Sequence, residues 1–115
     1  MKRALPVVLF LAACAHAPSA VAVSGDVLDV AGVAFEATAA GMRSASDANA
    51  LTRDQVLAWN DFFARWKAGY PGAAALWREA KRTQDEGLAE QVGAVVTTLL
   101  SQLATWQTVV KGAAP

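Results

Sequence analysis

From residue 24 onward, apolar residues recur at spacings of three and four, which is the period of an amphipathic α-helix. In the first such segment, Asp29, Glu36 and Arg43 fall on the opposite side of the helical wheel. Ser24 is a suitable N-cap, and the short polar side chains of residues 44–49 favour a loop at the other end. The apolar positions of this predicted helix are Val27, Leu28, Ala31, Ala34, Phe35, Thr38, Met42 and Ala45.

A second helix is predicted to begin after Thr52, because Thr52 and Gln55 have the spacing of a capping box. The sequence Gly69-Tyr70-Pro71-Gly72 is predicted to end this helix, and its proline is suited to the first turn of a third. The apolar side of the second helix is rich in aromatic residues and consists of Val56, Trp59, Phe62, Phe63, Trp66 and Tyr70.

Residues 71–110 leave two interpretations open, one unbroken helix or two. A second capping box from Thr83 to Glu86 favours a break, whereas two i,i+4 charge pairs across the same stretch favour continuity. We predict a break near Thr83, followed by a last helix that ends at Lys111-Gly112 with a cation and a C-cap glycine. Its apolar positions are Leu88, Val92, Val95, Val96, Leu99, Leu103, Trp106 and Val110.

These segments together predict an all-α fold. We expect a small antiparallel bundle of three or four helices in residues 24–115, after a short flexible tether in residues 14–23. The tether is predicted from its alanine, proline and serine content and its lack of a sustained period.

The last helix carries no charged residue between Gln91 and Val110. A membrane span is the first alternative, but the glutamine, threonine and serine side chains cluster on one face, which indicates an amphipathic helix outside the bilayer. Solvated helix faces usually carry lysine and glutamate, and depletion of charge is typical of the centre of a protein interface. The candidate interaction face is Thr97, Thr98, Ser101, Thr105 and Thr108, with an ordinary solvated face as the alternative.

The N-terminus has the layout of a secretory signal, with Lys2 and Arg3 followed by an apolar run and then by small residues. Leu11-Ala12-Ala13-Cys14 resembles the lipobox of bacterial lipoproteins. The resemblance implies that Cys14 receives a diacylglyceryl group, that residues 1–13 are removed, and that Cys14 becomes an acylated N-terminus. Ala15 follows the cysteine where an inner-membrane lipoprotein often carries aspartate, so the resemblance favours the outer membrane and its periplasmic face.

Composition narrows the choice of partners. Removal of residues 1–13 from the 115-residue chain leaves 102 residues, and the loss of Lys2 and Arg3 changes the formal net charge from 0 to −2. A chain of this charge without a basic run is not expected to bind nucleic acid or an anionic lipid surface. His16 is the only histidine and has no second ligand near it in sequence, so we expect no metal.

The aromatic residues of the second helix have two interpretations. Trp59 and Trp66 are candidates for stacking on an apolar small molecule, a lipid or a glycan. The helical spacing of the aromatic stripe favours core packing instead, since each buried large side chain contributes roughly 1.5–3 kcal/mol to stability.

Candidate catalytic chemistry is sparse. No histidine lies in the predicted helical domain, Cys14 is expected to be acylated, and no serine lies in a glycine elbow or near a candidate base. We therefore expect no catalytic residue and no cofactor. The predicted function is a non-enzymatic structural or protein-interaction role, with an envelope protein or a second copy as partner. The alternatives are the ligand-binding module and the outer-membrane subunit of a phage-type lysis pair, although such subunits tend to be proline-rich and extended.

Overall fold

The fold is a three-helix bundle, known here from a computed structural model that describes residues 19–113. The helices are α1 (Ala20–Asp47), α2 (Arg53–Thr83) and α3 (Glu86–Ala113), and residues 19–113 contain no strand. The all-α prediction is confirmed. Contacts between Ala20 and Glu86 at one end and between Gly41 and Val110 near the other show that α1 and α3 run parallel, with α2 antiparallel to both.

The start of α1 corrects the predicted tether. The helix begins at Ala20, where the Ser19 side chain accepts a hydrogen bond from the backbone N–H of Ala22 at 3.2 Å. Ser24 is therefore not the N-cap. Its buried hydroxyl donates to the carbonyl oxygens of Ala20 and Val21, which satisfies it within the helix. The last four residues of the predicted tether belong to α1, because Val21 packs into the core instead of facing solvent.

The predicted start of α2 is confirmed, but its predicted end is wrong. Both hydrogen bonds of the Thr52–Gln55 capping box form, at 2.8 and 3.1 Å. The helix then continues through Pro71 to Thr83 instead of ending at Gly69–Gly72. Pro71 is exposed and removes one backbone donor, whereas Trp66 before it and Ala73 after it are both buried in the same core. Packing on both sides of the proline outweighs the missing hydrogen bond.

A break near Thr83 is confirmed, with a different capping residue. Thr83 ends α2, and its hydroxyl donates to the carbonyl oxygen of Glu79. Gln84 then takes a left-handed backbone conformation with φ 55°. Asp85 caps α3, because its carboxylate accepts from the backbone N–H of Leu88 at 3.1 Å. At the other end α3 includes Gly112, so the predicted C-cap glycine is a helical residue.

The core joins all three helices, but α1 packs more extensively on α3 than on α2. Small buried residues such as Ala31 and Ala89 allow the backbones of α1 and α3 to approach closely. At Gly41 the two helices are close enough that an added Cβ would lie 2.6 Å from Cγ1 of Val110. Aromatic rings fill the wider space beside α2: Phe35 of α1 stacks on Trp66 with ring centroids 4.4 Å apart, and Trp66 stacks on Tyr70 at 5.3 Å.

Two glycines of α1 accept aromatic side chains of α2 by the same geometry. The indole N–H of Trp77 donates to the carbonyl oxygen of Val21 at 2.8 Å across Gly25. Seven residues further along α1, the hydroxyl of Tyr70 donates to the carbonyl oxygen of Leu28 at 2.7 Å across Gly32. Each glycine exposes a helix carbonyl that a Cβ would cover, so these two contacts fix the position of α2 along α1.

Burial raises the pKa of the Tyr70 hydroxyl above its ordinary value, and the nearby charges of Asp29 and Glu36 raise the pKa further. The folded chain therefore favours the neutral phenol that donates to α1. Because the pKa is raised on folding, this contribution to stability is fully present below about pH 10 and is lost as the pH rises through the folded-state pKa.

Alanine substitutions at two glycines should change stability in opposite directions. In Gly25→Ala the new Cβ would lie 2.6 Å from the Trp77 ring, so the ring must move and its hydrogen bond to α1 is strained or lost. We expect a loss of about 1–3 kcal/mol in the free energy of unfolding, despite the better helix propensity of alanine. Gly72→Ala is the matched control, because no neighbouring atom lies within 4 Å of the added Cβ. It should stabilise by up to about 1 kcal/mol. Equal changes in urea unfolding would contradict the packing of Trp77 on Gly25.

Candidate functional site

The five residues of the candidate interaction face are all exposed on α3. Thr97, Thr98, Ser101, Thr105 and Thr108 lie on the side of the helix opposite to its buried valines and leucines. The hydroxyls of Thr98 and Thr108 donate to helix carbonyls four residues earlier, at 3.0 and 3.2 Å. Because these two hydroxyl donors already form hydrogen bonds inside the helix, they lose less when water is removed. The desolvation free energy of covering this surface with a partner is therefore lower.

A second stripe of exposed apolar residues lies on α1, interrupted near its start by Asp26, and the sequence analysis missed it. Val30 and Val33 are 62% and 71% exposed, and Val23 is also exposed. Ala37 continues the same line, since Val23, Val30 and Ala37 are seven residues apart. The seven-residue spacing is visible in the sequence. The stripe was missed because the core-facing positions of α1 account for most of its apolar residues. Only the structure shows which valines of α1 lie on the surface.

The two stripes lie on neighbouring helices and form one surface on the side of the α1–α3 pair that faces away from α2. A hollow of about 330 Å³ between α1 and α3 is lined in part by Ala37, Gln107 and Lys111, which places this end of both stripes side by side. Thr97, Ala104 and Lys111 are seven residues apart on α3 and so lie on its α1 side. We name this surface the outer face; it consists of Val23, Val30, Val33 and Ala37 of α1 with Thr97, Ser101, Ala104 and Thr108 of α3.

Thr98 and Thr105 lie at the margin of the outer face. Thr98 comes one residue after Thr97, and Thr105 comes one residue after Ala104. One residue is a rotation of about 100° around α3, so both side chains lie further from α1. The structure therefore places Thr97, Ser101 and Thr108 on one surface with α1 and leaves the other two predicted residues on its border.

Charged residues flank the outer face at its two ends. Glu90 precedes the uncharged segment of α3 and Lys111 follows it, and both side chains are exposed. Among residues 19–113 the ion pairs within 4 Å join Asp61 to Arg65 and Glu79 to Arg82, so neither Glu90 nor Lys111 has a partner there. Asp26 adds a second negative charge at the Glu90 end. The outer face is thus uncharged at its centre, acidic at one end and basic at the other.

The two tryptophans considered for ligand stacking have different environments. Trp66 is 4% exposed and contacts Phe35, Phe62 and Tyr70, so it offers no open ring face. Trp59 is half-buried and lines a cavity of about 230 Å³ between the end of α1 and the start of α2. This volume is below the range of roughly 300–1,000 Å³ that is usual for small-molecule sites. Core packing of the aromatic stripe is what the structure shows.

Other candidate features fall partly outside the described part of the chain. Cys14, His16 and residues 1–13 precede residue 19, so the predicted lipidation site lies outside the described residues. Within residues 19–113, no three acidic, histidine or cysteine side chains come together in a way that could hold a metal ion. The helices described there lack the combination of length and apolarity that is needed to cross a bilayer.

Comparison of the chain with family models, with curated proteins and with solved structures finds no match.

Proposed function

We propose that the chain is a lipid-anchored protein of the bacterial outer membrane, acylated at Cys14, which binds another protein of the cell envelope through its outer face. The role is structural or one of protein interaction and involves no catalysis. The single observation that carries the interaction role is the exposed, uncharged outer face described above. An exposed surface without charge at its centre is typical of protein interfaces and unusual for a solvated helix pair.

The position of the bundle relative to Cys14 supports this proposal. Helix α1 begins six positions after Cys14, and a fully extended segment of that length spans at most about 22 Å. A lipid on Cys14 therefore keeps the start of α1 close to the membrane, and the outer face begins at Val23 near that end. Confinement of this kind raises the effective concentration of partners that are also membrane-bound, so a surface of modest affinity is sufficient.

The two alternative functions receive less support. For the ligand-binding alternative, the structure offers half-buried Trp59 beside a small cavity, whereas Trp66 is buried in the core. The lysis-pair alternative stays a prediction that rests on size and anchor alone.

A charge at the centre of the outer face should abolish partner binding without unfolding the bundle. Ser101 is exposed, so Ser101→Lys should change the free energy of unfolding by less than about 0.5 kcal/mol. In a protein interface the same unpaired charge costs several kcal/mol, which corresponds to a loss of more than tenfold in affinity. The measurement is in-cell crosslinking of the anchored protein, followed by comparison of the crosslinked species.

The matched control is Ala64→Lys, which adds the same charge at an exposed position of α2. We expect Ala64→Lys to retain the wild-type crosslinked species and Ser101→Lys to lose them. If Ser101→Lys retains them as well, the outer face is an ordinary solvated surface and the proposed interaction role is wrong.

A further inference from the structure

We propose that the outer face binds a second copy of this chain, with the two α3 helices antiparallel and centred near Ser101. This inference rests on the proposed interaction role and names the partner. A second copy presents the same small and β-branched side chains, which leave two helix pairs free to approach closely without large side chains between them. A face-to-face contact of this kind is closed by a two-fold axis, as in most homodimers.

The charges at the ends of the outer face select the antiparallel arrangement. Glu90 lies eleven positions before Ser101, and Lys111 lies ten positions after it. An antiparallel pair of α3 helices centred there brings Glu90 of each copy opposite Lys111 of the other. A parallel pair would instead place two glutamates together at one end and two lysines together at the other, which is unfavourable.

The α1 stripe has its centre at the same level as the α3 stripe. Gly41 contacts Val110, and the backbone N–H of Ala20 donates to the Glu86 carboxylate, so the two helices run side by side along their whole length. The midpoint between Val30 and Ala37 therefore lies close to the level of Ser101. The same two-fold axis that pairs Glu90 with Lys111 places Val30 of one copy opposite Ala37 of the other, so both stripes are covered in one arrangement.

Charge reversal tests the proposed partner and its orientation in solution. The full chain with Cys14→Ser keeps the bundle and leaves no native thiol, and sedimentation equilibrium gives its dimer dissociation constant. Glu90→Lys and Lys111→Glu should each weaken the dimer about tenfold, because two exposed ion pairs per dimer are replaced by like charges. The double variant Glu90→Lys/Lys111→Glu should restore the wild-type constant, and so should an equimolar mixture of the two single variants.

A reversal at an unrelated ion pair is the control. Arg65 pairs with Asp61 on the exposed side of α2, so Arg65→Glu should leave the dimer unchanged. Failure of the double variant to restore dimerisation would overturn the antiparallel pairing.

Disulfide trapping separates the antiparallel dimer from a parallel one. In the same Cys14→Ser background, Thr97→Cys in one copy should lie opposite Ala104→Cys in the other, so an oxidised mixture of the two variants gives a covalent dimer. Each variant oxidised alone should give little covalent dimer. The two identical positions of such a dimer are about 10 Å apart along the helices, which is beyond the reach of a disulfide. A parallel dimer would trap each variant with itself and would overturn the arrangement.

The failure of this inference can be distinguished from the failure of the proposed function. A strictly monomeric Cys14→Ser chain, together with crosslinks in the cell that Ser101→Lys abolishes, would show that the outer face binds a different protein. In that case the self-association proposal is wrong and the interaction role stands. A monomeric chain whose Ser101→Lys variant loses no crosslink would contradict both.

Discussion

Replacement of Trp66 by alanine is expected to cost about 3–5 kcal/mol in the free energy of unfolding, a large share of the roughly 5–15 kcal/mol that is usual for a domain. The Trp66 ring is buried between Phe35 and Tyr70, with ring planes 10° and 11° from parallel. Loss of the ring leaves a cavity at the place where α1 and α2 meet mainly through aromatic contacts. The surrounding rings are rigid, so the site has little capacity to collapse around the missing side chain.

The matched control lies on the same helix. Leu57 is 55% exposed, and Leu57→Ala should change stability by less than about 0.5 kcal/mol. Urea unfolding followed by circular dichroism is the measurement. Unfolding midpoints that are equal for Trp66→Ala and wild type would contradict the core assignment and would favour the alternative in which the aromatic rings serve a ligand.

Local signals in the sequence correctly predicted the start of α2 and the break after Thr83. The capping box at Thr52 and Gln55 involves side chains and backbone groups within a few residues, so the sequence alone contains the whole interaction. The break after Thr83 is local in the same sense, although Asp85 caps α3 in place of Thr83. The inward apolar positions of α1 were also predicted, because their period does not depend on what they contact.

Long-range packing accounts for what the sequence did not reveal. Pro71 is a strong local signal for a helix end, and it is overridden by contacts that α2 makes with two other helices on both sides of the proline. The start of α1 was misplaced for a related reason, since Val21 joins a small cluster with Ala80 near the end of α2 and Ala89 near the start of α3. Neither partner is close to Val21 in sequence.

The candidate interaction face was predicted in part. The uncharged outer side of α3 followed from composition and helical period, and the exposure of its five residues agrees with that placement. The contribution of α1 could not be predicted, because the sequence does not say which of its valines face the bundle. The roles of Gly25 and Gly32 were missed as well, although their seven-residue spacing matches that of Tyr70 and Trp77. That match is informative only once α1 and α2 are known to be antiparallel neighbours.

Replacement of Cys14 by serine is expected to release the protein from the membrane. A thioether-linked diacylglyceryl group has two acyl chains, and each buried methylene contributes about 0.8 kcal/mol to membrane attachment. Serine has no thiol to accept the lipid, so both chains are lost at once. The expected change is from complete to negligible membrane attachment. Ala17→Ser is the matched control, because it adds a hydroxyl three positions later and leaves Cys14 in place.

The most direct test of the whole account is the mass of the protein isolated from bacterial membranes, measured together with its partition into detergent. We expect the wild-type chain and the Ala17→Ser variant to lack residues 1–13, to carry acyl groups on Cys14 and to enter the detergent phase. The Cys14→Ser variant should carry no lipid and remain in the aqueous phase. A wild-type mass without acyl groups, or identical partition of wild type and Cys14→Ser, would contradict the claim that this helical bundle is a lipid-anchored protein of the envelope.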